Sequence, residues 1–163
     1  MVDASNLILP STLDSYCYSN MFQGCSSLTS APELPATTLA VNCYNSMFYN
    51  CTSLVNASEL PATTLTTDCY NSMFSNCTSL TTAPELPATT LVDGCYRMMF
   101  LECASLNHIT MLATNVSASR CLYNWVYDVS STGTFVKHPD MNSLPTGTSG
   151  IPEGWAVENA VIS

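Results

Sequence analysis

The sequence predicts an α/β solenoid of 26-residue units, each a short helix followed by a short strand, with a β-rich cap at the C-terminal end. Three observations carry that expectation. The stretch CYNSMFYNCTSLVNASELPATTL (43–65) returns almost letter for letter as CYNSMFSNCTSLTTAPELPATTL (69–91). Cys17, Cys43, Cys69, Cys95 and Cys121 recur at one constant step, and Cys25, Cys51, Cys77 and Cys103 keep the same step. After Cys121 the pattern decays. A fixed period of roughly 20 to 50 residues marks units that bury their apolar faces only by stacking on their neighbours.

The helix is expected in segments such as CYNSMFYN, where Cys, Tyr, Met and Phe fall at offsets 0, 1, 4 and 5, the clustering of one helical face. Gly24, Asn50 and Asn76 would close it, being residue types that tolerate the left-handed conformation; Glu102 breaks the series. The strand is expected in the Thr/Ser-rich stretch between Leu28, Leu54, Leu80, Leu106 and a second set, Leu34, Leu60, Leu86, Leu112. Pro35, Pro61 and Pro87 lack the N–H of a central ladder and should end each strand.

Residues 1–121 therefore read as the solenoid and 122–163 as its cap. ASNLILPSTL (4–13) is an irregular copy of the repeat tail, so the chain is expected to open partway through a unit, as a C-terminal fragment of something longer. In the tail, VSSTGTFV (129–136) surrounds a Thr-Gly turn with β-favouring residues, and Trp125, Phe135 and Trp155 are large enough to cover a core end.

Hydrophobic residues make up 47% of the chain and charged ones 9%, so solubility rests on Ser, Thr and Asn. Arg97, Arg120 and Lys137 are the only Lys or Arg, and net charge is −9. This argues against nucleic acid, whose phosphates bind Lys and Arg that displace counterions, and against anionic membrane surfaces for the same reason. No apolar run reaches the roughly 18 to 20 residues of a membrane helix, so no direct membrane insertion is expected.

Spelled out, the unit C-Y-x-x-M-F-x-[GN]-C-x-S-L-x-x-A-P-E-L-P-A-T-T-L resembles the BspA-like leucine-rich repeats of surface proteins from gut and oral anaerobic bacteria. The likeness covers roughly residues 4–121, with Met-Phe at 21–22, 47–48, 73–74 and 99–100 in the family's Ala-Phe slots. The segments GTFVKHPDM and GIPEGW look like the closing part of such proteins. The resemblance implies a right-handed leucine-rich-repeat solenoid, exported to the cell surface or beyond, that works by adhesion to a host or bacterial protein or glycan.

Cysteine pairs at the two ends of one short helix are not the close pairs of zinc sites, so no metal is expected. Two readings of the cysteines stay open: disulfides between equivalent positions of adjacent units, and buried thiols acting as small hydrophobes, which is the preferred one. His108 and His138 do not recur, no Ser sits in a nucleophile elbow, and no carboxylate pair suggests split acid–base roles. A non-enzymatic module without cofactor is the expectation. Sequons at Asn50, Asn56, Asn76 and Asn115 read as chance in a chain this rich in Asn, Ser and Thr.

One candidate site remains. Glu33, Glu59 and Glu85 recur once per unit and are expected to form an exposed acidic stripe, flanked by Thr29, Ser30, Thr81 and Thr82, with Ile8 and Met111 in the corresponding end slots. Such a stripe either solubilises the surface or meets a basic partner. The alternative function is a structural spacer or a self-assembling fibre subunit, associating through the N-terminal end.

Overall fold

The computed structural model describes residues 2–162, and among these it contains no helix. The segments expected to be helical are ribbons of overlapping turns, over 16–24, 42–50, 68–76, 94–102 and 120–128. In the first, alternate N–H groups close four-residue turns, from Cys17 to Asp14 O, Ser19 to Tyr16 O, Met21 to Tyr18 O and Gln23 to Asn20 O, at 3.1–3.3 Å. The intervening N–H groups leave the ribbon sideways. Tyr16, Tyr18, Asn20, Phe22 and Gly24 donate to Val41, Cys43, Asn45, Met47 and Tyr49 O of the next ribbon, at 2.8–3.1 Å. The same five bonds, at equivalent positions, join every successive pair of ribbons, and none of these donors is left for an i→i−4 helical bond.

Backbone geometry explains the departure. Every fourth residue of each ribbon has positive φ: Tyr16, Asn20 and Gly24 in the first, Asn42, Ser46 and Asn50 in the second, Asp68, Ser72 and Asn76 in the third. A left-handed residue at that interval turns alternate amides outward and resets the chain, giving a period of four in which two residues face in and two face out, with Ser75 of the third ribbon the buried exception. Cys43, Tyr44, Met47, Phe48 and Cys51 are buried, while Asn45, Ser46, Tyr49 and Asn50 are not. Over this short span a helix would place the same inward set within an arc of about 140°, so the two alternatives share one apolar pattern.

The expected strand per unit is also corrected. Among the described residues regular strands form only late in the chain: β1 (His108–Met111), β2 (Thr134–Lys137) and β3 (Ala156–Asn159), in one parallel sheet of order β1-β2-β3. Their register pairs His108 with Thr134 and Thr134 with Ala156. Earlier extended stretches meet through isolated parallel bridges, Asp3 with Ser30, Ser30 with Asn56, Thr38 with Thr64 and Thr82 with His108. The cause lies in proline. Pro32, Pro35, Pro61, Pro84 and Pro87 interrupt those stretches, whereas HITM (108–111) has every N–H. Without a helix among the described residues and with one small sheet, the structure does not support the α/β solenoid or the leucine-rich-repeat description.

A count at constant period also misplaces the fourth unit. Thr38 bridges to Thr64 and Thr82 to His108, a full unit apart, but Leu86 bridges to Met111 and Thr90 to Asn115, each one position short of a unit. Met111 therefore fills the buried leucine position and Leu112 falls half outside it. The register is restored by Tyr96, whose N–H reaches Cys121 O just as that of Tyr70 reaches Cys95 O. One residue is thus missing near 110 and one is added between Asn115 and Ser119, where Gly94 N–H already reaches Ser119 O as Asp68 N–H reaches Asp93 O.

Columns of like residues form the core. Phe22, Phe48, Phe74 and Phe100 stack at centroid distances of 5.4, 5.5 and 5.8 Å with planes within 8°. Tyr18, Tyr44, Tyr70 and Tyr96 form a second column at 5.8–6.1 Å. The phenylalanine column ends on Trp125, tilted 54°, which meets Phe135 edge-on. Trp125 Nε1 donates to Gly150 O at 2.8 Å and Trp155 Nε1 to Ser130 O at 2.7 Å, fastening the tail across the last ribbon.

Candidate functional site: a furrow of glutamate and proline

Leu34, Leu60 and Leu86 point into the core, so the residues on either side of each must point out. Those residues are Glu33 and Pro35, Glu59 and Pro61, Glu85 and Pro87. They line a shallow furrow running along the stack. One end is closed by Leu7 and Ile8 with Glu33 and Pro35; the middle lies between Glu33, Pro35, Glu59 and Pro61; the far end lies between Glu59, Pro61, Glu85 and Pro87. In the fourth unit Thr110 precedes the buried Met111 and stands where the other units have glutamate, so the glutamate series ends there.

All three glutamates are exposed, and among the described residues none makes a hydrogen bond or an ion pair. Successive rungs of a parallel ladder lie about 4.8 Å apart. Carboxylates at that separation in water repel by about 0.9 kcal/mol per neighbouring pair. The furrow therefore has an electrostatic cost that a cation lying in it would remove, and three rigid pyrrolidine rings on its other wall.

Of the flanking residues expected to share this surface, none lines the furrow. Ser30 and Thr82 are bridge positions of the inter-rung ladder, and Thr29 and Thr81 lend their carbonyls to the N–H groups of Val55 and Asn107. The Thr29 hydroxyl is turned to Val2 O at 2.9 Å. The proline wall is the part of the site that sequence reasoning misses. Its signal is the shared recurrence of Glu and Pro, once per unit, with one buried Leu between them.

The described residues contain no group of three His, Cys, Asp or Glu able to hold a metal ion. His138 Nδ1 accepts from the Asp140 N–H at 3.1 Å, within an exposed turn. All nine cysteines are free thiols; those from Cys43 onward are buried, whereas Cys17 is exposed and Cys25 half-buried. Cys51, Cys77 and Cys103 each donate their S–H to a carbonyl of the preceding rung, Phe22, Phe48 and Phe74 O, at 3.0–3.2 Å. Burial pushes the thiol pKa up to about 11 at Cys43 and Cys51 and to about 12 at Cys95 and Cys103, so none of these is a nucleophile near neutral pH.

Comparison of the chain with family models, with curated proteins and with solved structures finds no match in any of the three, and so nothing that identifies a BspA-like family.

Proposed function

We propose that the chain is a non-enzymatic binding module whose furrow receives an extended, positively charged polymer, a basic polypeptide segment or an amino-sugar glycan, at several equivalent points. The observation that supports this reading is the furrow itself: three unpaired carboxylates, one per rung, facing three proline rings. Each contact alone is weak. Repetition along a rigid ladder makes the second and third engagements intramolecular, so affinity grows by multivalency rather than by one deep pocket. A net charge of −9 adds long-range attraction for a basic partner, which salt screens.

The test uses oligolysine and oligoglucosamine of about ten units, titrated calorimetrically into the full chain at low and moderate salt. One or both should bind, more weakly as salt rises. The triple variant Glu33→Gln, Glu59→Gln, Glu85→Gln should lose at least tenfold in affinity while melting at the same temperature or slightly higher, because the repulsion is relieved. The double change Asn45→Ala, Asn71→Ala on the ribbon side, at positions of ordinary φ, should leave binding intact. If the glutamine variant binds both probes as tightly as the parent, the stripe only solubilises the surface. If neither probe binds the parent, the stack serves as a spacer.

A further inference from the structure

Each ribbon gives its row of N–H groups to carbonyls of the ribbon that follows, but the row on the ribbon 120–128 meets the tail instead. Asn124 N–H donates to Ser149 Oγ at 2.9 Å and Val126 N–H to Thr148 O at 3.2 Å. Arg120, Leu122 and Asp128 N–H have no partner among the described residues. The path of the tail within the chain decides which donors are left. It crosses the ribbon at 148–150, where Trp125 Nε1 holds Gly150 O, so Arg120 and Leu122 fall on one side of the crossing and Asp128 on the other.

On the first side lies an open groove. Val116, Ala118 and Leu122 line it from the ribbon and its approach, and Leu144, Pro145 and Ser149 from the tail. Leu122 is buried, and a buried amide ordinarily has an acceptor, so the chemistry its N–H calls for is a carbonyl or carboxylate oxygen. Positive charge gathers here in a chain whose net charge is −9. Arg120 meets Asp93 Oδ2 through one nitrogen at 3.4 Å, which leaves most of a five-donor guanidinium free. Arg97 lies 5.9 Å from the ring centre of Tyr123, another residue of the groove. The groove shares no residue with the furrow of glutamate and proline.

We propose that this groove receives the C-terminal end of a polypeptide with apolar last residues, its terminal carboxylate on Leu122 N–H and the carbonyl two residues earlier on Arg120 N–H. Spacing singles out a peptide. In the preceding rung Gly94 and Tyr96 N–H are met by Ser119 and Cys121 O, carbonyls two residues apart, and Arg120 and Leu122 hold the same interval. A chain supplies acceptors at that interval, whereas a free acid supplies both its oxygens from one carbon. The crossing then ends the row. A peptide laid along it in the direction every ribbon takes meets Ser149, already held by Asn124, directly after Leu122. The bound chain must stop there, and a terminal carboxylate is the strongest acceptor a chain can offer at its stop, the more so with Arg120 in the same ribbon. The last side chain and the third from last then face the apolar walls.

The test offers the intact chain the peptide acetyl-Ala-Val-Ala-Leu with a free carboxylate, and the same peptide amidated, and follows amide hydrogen exchange by NMR. Saturating carboxylate peptide should slow exchange at Arg120 and Leu122 at least tenfold and leave Asp128 unchanged. The amidated peptide should bind at least tenfold more weakly, and Arg120→Gln should shrink that difference. Asp93→Asn, which frees the guanidinium and removes a carboxylate beside it, should tighten binding of the free acid. The variant Glu33→Gln, Glu59→Gln, Glu85→Gln should bind it as the parent does, which separates this groove from the furrow. Equal binding of the two peptides, an Arg120→Gln variant that keeps the full difference, or unchanged exchange at Arg120 and Leu122 in millimolar peptide overturns the proposal. Oligomers of the intact chain that the peptide disperses overturn it as well, by naming a second copy as the occupant.

Discussion

At the scale of single residues, the left-handed positions decide local structure, and they are not equally suited to it. Asn20, Asn42, Asn50, Asn76 and Gly24 are the residue types that enter that conformation most readily. Tyr16, Met98 and Glu102 are not, and they hold positive φ with their N–H groups fixed to Val41, Tyr123 and Tyr127 O of the next ribbon. Glu102, at φ 61° and exposed, stands in the column of Asn50 and Asn76, where Asn76 Nδ2 donates to Asn50 Oδ1 at 2.8 Å. Glu102→Asn should relieve backbone strain and extend that side-chain ladder, raising stability by about 0.5–1 kcal/mol. Urea unfolding checks it; a loss of stability would show that the glutamate has a role in the folded chain that its exposure hides. The tyrosine column gives a second case. The hydroxyls of Tyr44, Tyr70 and Tyr96 are buried without a hydrogen-bond partner, and burial drives their pKa values upward. An unsatisfied hydroxyl costs about 1–3 kcal/mol of desolvation. Tyr70→Phe is therefore expected to unfold at equal or higher denaturant than the parent, and a fall of more than about 1 kcal/mol would place an unseen polar partner at that oxygen.

At the scale of the element, one ribbon cannot stand alone, because half of its amides are satisfied only by the next. Stacked rings supply the matching apolar term. Phe48 and Phe74 are fully buried between like rings, so Phe48→Ala and Phe74→Ala should each cost about 3–5 kcal/mol. Thermal melts read the effect, and a variant melting within a degree or two of the parent would take that ring out of the column. These columns are legible in the sequence, because identical residues at constant spacing must meet if units stack at all. The conformation between them is not. Cys43, Tyr44, Met47, Phe48 and Cys51 satisfy periods of 3.6 and of 4 equally well over so short a span. The discriminating signal is Asn42, Ser46 and Asn50, then Asp68, Ser72 and Asn76, polar residues at every fourth position, of which the sequence marks only the last in each ribbon as left-handed. The furrow is half legible for a similar reason. Glu33, Glu59 and Glu85 stand out by charge, while Pro35, Pro61 and Pro87 read only as strand breakers. The slip of one residue at Met111 is invisible, since a deletion and an insertion within one unit leave the cysteine spacing unchanged.

At the scale of the whole molecule, burial of thiols ties stability to alkaline pH. A thiol whose pKa is higher folded than unfolded keeps its proton longer in the folded state, so its contribution is whole below the ordinary value of 9.0 and is lost as pH rises from there towards about 12 at Cys95 and Cys103. Denaturant midpoints should be flat below about pH 8.5 and fall between about pH 9 and 12; a midpoint that rises across that window would contradict the burial. The direction of the inter-ribbon bonds sets the last expectation. Removing residues 122–163 takes away Tyr123, Trp125 and Tyr127 O, the acceptors of the Met98, Phe100 and Glu102 N–H groups. The truncated chain then carries a donor edge at one end and, at the other, the free acceptor carbonyls of Ser19, Met21 and Gln23, which hold the equivalent places in the first ribbon. Ends that match each other but not themselves make a head-to-tail contact that does not close, and the product is an open fibre rather than a dimer. Light scattering should show assemblies lengthening with concentration for the truncated chain and none for the intact one. Adding Met21→Arg to the truncated chain, which sets a long charged side chain across the acceptor edge, should shorten them. A truncated chain that circular dichroism shows folded and that stays monomeric at high concentration would mean the tail is not what keeps the stack from growing.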